Sequence, residues 1–186
     1  DMKEITRQAH EAGVLVVWDL SHSTGSIPVD VNKCDVDFAV GCGYKFLNGG
    51  PGSPAYLFVA ARHQNTGLPI LSGWFGHEDP FGFSDKYVPA ANINRFQCGT
   101  PSVLAISILE CGVDLFARTQ IAKLREKSIA LSSLFIDLMD EHCNHLGFEL
   151  VSPRKSADRG GHVSYAHKHG YGILQAIKQR GVIGDF

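Results

Sequence analysis

The sequence carries little that would mark a partner by charge. Lysine and arginine total 17 against 19 aspartates and glutamates, giving a formal net charge of −2, and no basic run forms anywhere. That balance excludes the electrostatic footprint of a nucleic-acid or anionic-membrane binder. Apolar runs are short: none approaches the ~18 residues of a membrane-spanning helix, and the opening DMKEITRQAHEAG lacks the apolar centre of a secretory signal. The chain is therefore expected in the cytoplasm, with neither membrane nor nucleic acid as a partner. Cysteine is scarce too. Cys34, Cys42, Cys98, Cys111 and Cys143 make an odd number with no CxxC spacing, which argues against a disulfide framework or a zinc knuckle. GxGxxG, GxxxxGK[ST] and GxSxG are all absent, so dinucleotide, P-loop and esterase readings have no motif behind them. The pairs His142 with His145 and His167 with His169 come without HExxH or an acidic partner set. They read as surface histidines, and no metal site is expected.

What is present suits a globular α/β protein. With 186 residues, 44% hydrophobic and 19% charged, the chain can bury one sizeable core or two small ones. Residues 2–12 pattern as a short amphipathic helix ended by Gly13. The continuous run VLVVW (14–18) suits a buried parallel strand, and DFAV (37–40) and PAYLFVA (54–60) read as further strands. Residues 61–101 are irregular and rich in glycine, proline and aromatics, a kind of segment that is more often functional or interfacial than idle. Residues 102–117 are apolar nearly all round, as in a buried helix, and 119–143 carry apolar residues at helical spacing. FELVS (148–152), HVSYA (162–166) and a helix over 170–180 follow. Repeated strand, loop and helix segments imply a layered, mainly parallel sheet with flanking helices. The expected division is a larger α/β domain over 1–118, then a linking helix and part of a small α/β domain over 119–186. The opening aspartate and the closing GVIGDF suggest a piece of a longer protein.

Two opposite charges fall where open α/β sheets bind ligands, just past the carboxyl ends of strands. Asp19 ends VLVVW, and Lys45 follows DFAVGC within GYKFLNGGPG (43–52). Either could be a turn residue only, since aspartate caps loops and glycines mark turns. His22 lies three positions after Asp19, and Tyr44 directly precedes Lys45. A carboxylate, a lysine, a histidine and a tyrosine on one rim suggest pyridoxal phosphate chemistry. There a lysine amine forms a Schiff base with the cofactor aldehyde, and a carboxylate keeps the pyridine nitrogen protonated.

These residues, read with WDLSHSTGSIPVD (18–30), GCGYKFLNGGPGSPAYLFV (41–59), LSGWFGH (71–77) and FQCGTPS (96–102), resemble the kynureninase family. VSPR and RGGHVSYAH extend the similarity through essentially the whole chain. The resemblance implies a fold-type-I pyridoxal phosphate enzyme: a homodimer with a large α/β domain and a smaller C-terminal one. It implies hydrolysis of L-kynurenine or 3-hydroxykynurenine to anthranilate or 3-hydroxyanthranilate plus L-alanine, in tryptophan breakdown or NAD synthesis. By the same resemblance Lys45 is the Schiff-base lysine, Asp19 the partner of the pyridine nitrogen, and His22 a contact near the ring oxygen. Tyr44 would donate to the phosphate and deliver a proton during carbon–carbon cleavage. Trp74 and Thr100 would hold the phosphate from the neighbouring subunit, and Gly49, Gly50 and Gly52 would let backbone approach the site. The family's phosphate-binding loop, ring-stacking aromatic and carboxylate-gripping arginine have no counterpart in these residues, so the piece alone is expected to bind cofactor poorly.

Two other readings stay open. A cysteine desulfurase shares the aspartate and lysine spacing but needs a reactive cysteine on a mobile loop, for which Cys98 is the one candidate in irregular sequence. An inert, truncated chain is the second.

Overall fold

A computed structural model describes residues 1–67 and 69–186 of the chain. Two compact units appear, Asp1–Ile121 and Ala122–Phe186, the division falling just beyond the 118/119 boundary expected from sequence.

The first unit opens with α1 (Met2–Glu11), capped by the Asp1 carboxylate, which accepts the Glu4 amide hydrogen at 3.2 Å. Strands β1 (Val17–Asp19), β2 (Phe38–Cys42) and β3 (Ala55–Val59) form a sheet in that order. β1 runs parallel to β2, with Asp19 opposite Val40, and β3 runs antiparallel, with Gly41 opposite Tyr56. The direction of β3 follows from its connection. Residues 43–54 contain no helix to carry the chain across the sheet, so it folds straight back. One antiparallel edge on a parallel α/β sheet is a common arrangement.

The core gathers beside β2, where buried Leu20, Val36 and Ala39 pack with Met2, Trp18, Tyr56 and Phe58. Thr6 ties α1 to the sheet, its buried hydroxyl accepting the Trp18 indole N–H at 3.1 Å and donating to Met2 O at 2.8 Å. The buried Asp37, just ahead of β2, is a hub that no sequence pattern announced. Its carboxylate accepts the Val16 amide at 2.9 Å and Arg62 Nη2 at 2.6 Å, and it meets His10 and His63 at 2.8 Å each. Desolvation raises this carboxyl's pKa, but the hydrogen bonds outweigh it and hold the group well below the ordinary carboxylate range.

Two burial expectations are corrected. Val14, Leu15 and Val17 are more than half exposed, because β1 lies at the sheet edge with β2 on one side only. Helix α2 (Val103–Ala117) forms where expected, yet Leu104 is 79% and Ile108 57% exposed, and Gly112 is its one buried residue. Its packed line is the close approach of Gly112 to the backbone after Lys45, where a Cβ would stand 2.2 Å from Leu47 O. The irregular stretch 61–101 contains three short 3₁₀ turns; residue 68 within it lies outside the described residues.

The second unit holds most of α3 (Ile121–Cys143), the antiparallel pair β4 (Glu149–Leu150) and β5 (Tyr165–Ala166), and α4 (Gly170–Lys178). Buried Arg159 organises the loop before β5, donating to Pro153 O and Arg154 O at 2.9 and 2.8 Å and to the Ser132 and Ser133 hydroxyls of α3. Arg125 of α3 donates back to Ser156 O at 2.9 Å. Among the described residues no helix is long and apolar enough to cross a membrane.

Candidate active site

The carboxyl ends of β1 and β2 carry the candidate residues because parallel strands deliver both chain exits to one edge. Asp19 closes β1. The chain then turns, with Ser23 and Thr24 amides both donating to Leu20 O at 3.0 Å, and this turn holds His22. Lys45 follows β2 by three residues. The turn is closed on itself, with the Asn48 amide donating to Lys45 O at 3.0 Å and the Gly49 amide to Gly43 O at 2.9 Å.

The two segments meet at their side chains. Lys45 Nζ lies 2.9 Å from His22 Nε2 and 5.5 Å from the centre of the Tyr44 ring. When the lysine is charged it donates to the imidazole, which then carries its own proton on Nδ1. Asp19 accepts the Ser21 amide at 2.9 Å. Its pKa is lowered chiefly by hydrogen bonding to Ser21, against a small desolvation effect, with the charges of Lys45 and His22 adding to the pull. The carboxylate is thus ionised across the physiological range. Asp19, His22 and Tyr44 are all exposed, so this edge is open to water.

The glycines of the turn have different surroundings within the chain. Gly49 does sit in close quarters, where a Cβ would fall 2.3 Å from Ser53 Oγ and 2.9 Å from Gly43 O. Gly50, however, has open space around it and adopts φ +69°, so it serves the turn itself.

Trp74 and Thr100 belong to a second cluster. Gly73 is pressed onto the Cys98 carbonyl, leaving no room for a Cβ, and Gly99 lies beside the Trp74 indole nitrogen. The half-exposed Trp74 packs edge-on against Phe75 and Phe81 and lines a cavity of about 470 Å³ with His77, Asp79, Phe83 and Tyr87. Among the described residues, no hydrogen bond or ring contact joins Trp74 or Thr100 to Asp19, Tyr44 or Lys45. Cys98 is exposed, with its thiol donating to Leu71 O at 3.3 Å. His167 and His169 stand side by side, but His167 Nε2 is engaged with Leu146 O at 3.0 Å, and no group of metal-ligating side chains occurs among the described residues.

Sequence reading missed the contacts that hold the His22 turn against β3 and against the lysine turn. Thr24 Oγ1 meets Tyr56 OH at 2.5 Å, and Gly25 abuts Phe46, where a Cβ would lie 3.1 Å away. A signal existed for the second, since glycine in a polar loop often marks such an approach; the hydroxyl pair had none.

Known structures resemble this one closely in fold. The apo cysteine desulfurase of Thermococcus onnurineus NA1 superposes with a TM-score of 0.82 over 98% of this chain and 44% of that one, at 23% identity. A C–S lyase structure with glycine covalently linked to its pyridoxal phosphate cofactor superposes at 0.65 over 85% of this chain and 40% of that one, at 20% identity. The architecture is that of the fold-type-I pyridoxal phosphate enzymes. At higher identity the sequence narrows the class: kynureninase of Pseudomonas fluorescens is 46% identical over all 186 residues, and residues 124–186 match the kynureninase C-terminal domain family. The chain is thus similar to kynureninases along its whole length. It spans about 45% of the length of the curated relatives it matches.

Proposed function

We propose that the protein, in its complete form, hydrolyses L-kynurenine, or its 3-hydroxy derivative, to anthranilate or 3-hydroxyanthranilate and L-alanine, with pyridoxal 5′-phosphate as cofactor. The observation that carries the reading is the meeting of Lys45, His22 and an ionised Asp19 at one sheet edge in a chain aligned along its whole length with kynureninase.

The residues present suit that cofactor. A primary amine, a carboxylate kept anionic by Ser21, a phenol and an imidazole offer one partner each for an aldehyde, a basic ring nitrogen and oxygen acceptors. When bound, pyridoxal phosphate supplies a carbonyl that joins amines and a ring that accepts the electron pair released from the substrate. Lys45 Nζ would hold the cofactor through its amine and, as a free amine, would serve as the base for the substrate α-proton. His22 orients that amine through Nε2. Asp19, kept anionic, would favour the protonated form of the cofactor's ring nitrogen. Tyr44 would offer its phenolic O–H to the phosphate and would supply a proton during cleavage of the Cβ–Cγ bond, with the hydroxyl of water ending on the carbonyl carbon of the aromatic product. Trp74 and Thr100, set apart from Lys45 within the chain, are assigned to the phosphate of the neighbouring subunit in a homodimer. A cytoplasmic location, a place in tryptophan breakdown or NAD synthesis, and the lack of nucleic-acid and membrane partners complete the reading.

The test is an assay of the complete protein with pyridoxal phosphate and L-kynurenine, following anthranilate by fluorescence and alanine by chromatography. Equimolar products are expected. Sulfide release from cysteine without anthranilate would replace this reading by a desulfurase, despite only 23% identity to that fold relative.

A further inference from the structure

We propose that Tyr56 is a positioning residue for the Lys45–His22 pair, acting through Thr24; the proposal rests on the functional reading above. His22 and Lys45 leave the sheet on different strands, 23 residues apart. Their 2.9 Å approach therefore depends on what fixes the β1 turn against the β2 exit.

The register supplies the device. Gly41 of β2 stands opposite Tyr56 of β3, and the phenol lies across the glycine so closely that a Cβ there would meet the hydroxyl oxygen at 2.2 Å. Passing over Gly41, the ring extends from β3 across β2 to the turn after β1. Its hydroxyl meets Thr24 Oγ1 at 2.5 Å, two residues beyond His22. On the other side of the turn Gly25 packs against Phe46, the neighbour of Lys45. Thus the turn bearing His22 is tethered both to β3 and to the lysine turn itself. A missing Cβ at 41 and a hydroxyl at 56 make a matched pair: the first is needed for the second to reach.

Tyr56→Phe keeps the ring over Gly41 and deletes only the hydroxyl, and Thr24→Val deletes the partner with little change of shape. Both variants of the complete enzyme are to be compared with wild type by kcat, KM and the pH midpoint of the visible absorbance band formed with pyridoxal phosphate. Each should lower kcat by about threefold to tenfold, the effect of one hydrogen bond, with KM within about twofold, and should displace the pH midpoint because the imidazole no longer sits against the amine. The double variant should be no worse than either single one, since the two hydroxyls act as a unit, and Thr24→Ser should retain wild-type behaviour. Tyr56 and Thr24 variants that leave kcat and the pH midpoint unchanged, or whose effects multiply, overturn the proposal. Should wild type form a lysine-dependent band but release no anthranilate, the substrate reading fails while the shift of midpoint still decides the role of Tyr56. Absence of any lysine-dependent band overturns both.

Discussion

Lys45 Nζ and His22 Nε2 stand 2.9 Å apart at the carboxyl edge of two parallel strands. The relationship gives a reason for a lysine just past a strand: the strand aims it, the glycine turn stops it, and a histidine on the turn after the neighbouring strand β1 lies within hydrogen-bond distance. Asp19, at the end of β1, is held anionic chiefly by its hydrogen bonding to Ser21, with the charges of Lys45 and His22 adding to the pull.

Removal of the Asp19 charge should disable the chemistry while leaving the fold intact, because the side chain is exposed. Asp19→Asn is expected to lower kcat by about 100-fold or more, the usual scale for deleting one preorganised electrostatic contact. Circular dichroism should remain that of wild type, and steady-state kinetics gives the loss.

The acid side of Asp19 is set by Ser21. Its folded pKa is depressed, so the charged form persists above the ordinary carboxylate value and is lost only as pH falls through a lower midpoint. Ser21→Ala removes the side-chain hydrogen bond and should raise that midpoint toward the ordinary value near 4. A carboxyl-carbon NMR titration reads the shift directly.

Asp37 should matter to stability and not to catalysis, because it lies at the opposite end of β2 from Lys45. Its folded pKa is also depressed. The stabilisation it gives is fully present above the unfolded-state value of about 3.9 and disappears as pH falls through the folded one. Asp37→Ala strips partners from Val16, His10, His63 and Arg62, and should cost on the order of 3 kcal/mol near neutral pH. The variant's denaturation midpoint should also depend less on pH between about 5 and 2 than that of wild type.

Gly112→Ala tests the link between α2 and the lysine turn. The new methyl would meet Leu47 O at 2.2 Å, and a backbone atom has little freedom to yield. Displacement of the turn should weaken pyridoxal phosphate binding and cost about 1–3 kcal/mol of stability, both measurable by absorbance titration and thermal melting.

Much of this was legible in the sequence, and the exceptions have physical causes. Strand ends followed by Asp19 and Lys45 could be placed because apolar runs stop where the chain leaves the sheet. The Asp37 hub could not, since His10, His63 and Arg62 converge on it only through folding. Exposure of α2 escaped as well: an apolar helix announces that something should cover it, without saying whether the same stretch of chain does. Tyr56 read as a strand aromatic, and its reach to Thr24 appears only when the β2–β3 register sets it over a glycine.

The most direct measurement is the absorbance spectrum of the complete enzyme with added pyridoxal phosphate, for wild type and Lys45→Ala side by side. A visible band in wild type that is absent from the variant is the predicted result, and it identifies Lys45 as the covalent anchor. An identical band in both proteins would contradict the account, because the lysine held by His22 would then not be the one that binds the cofactor.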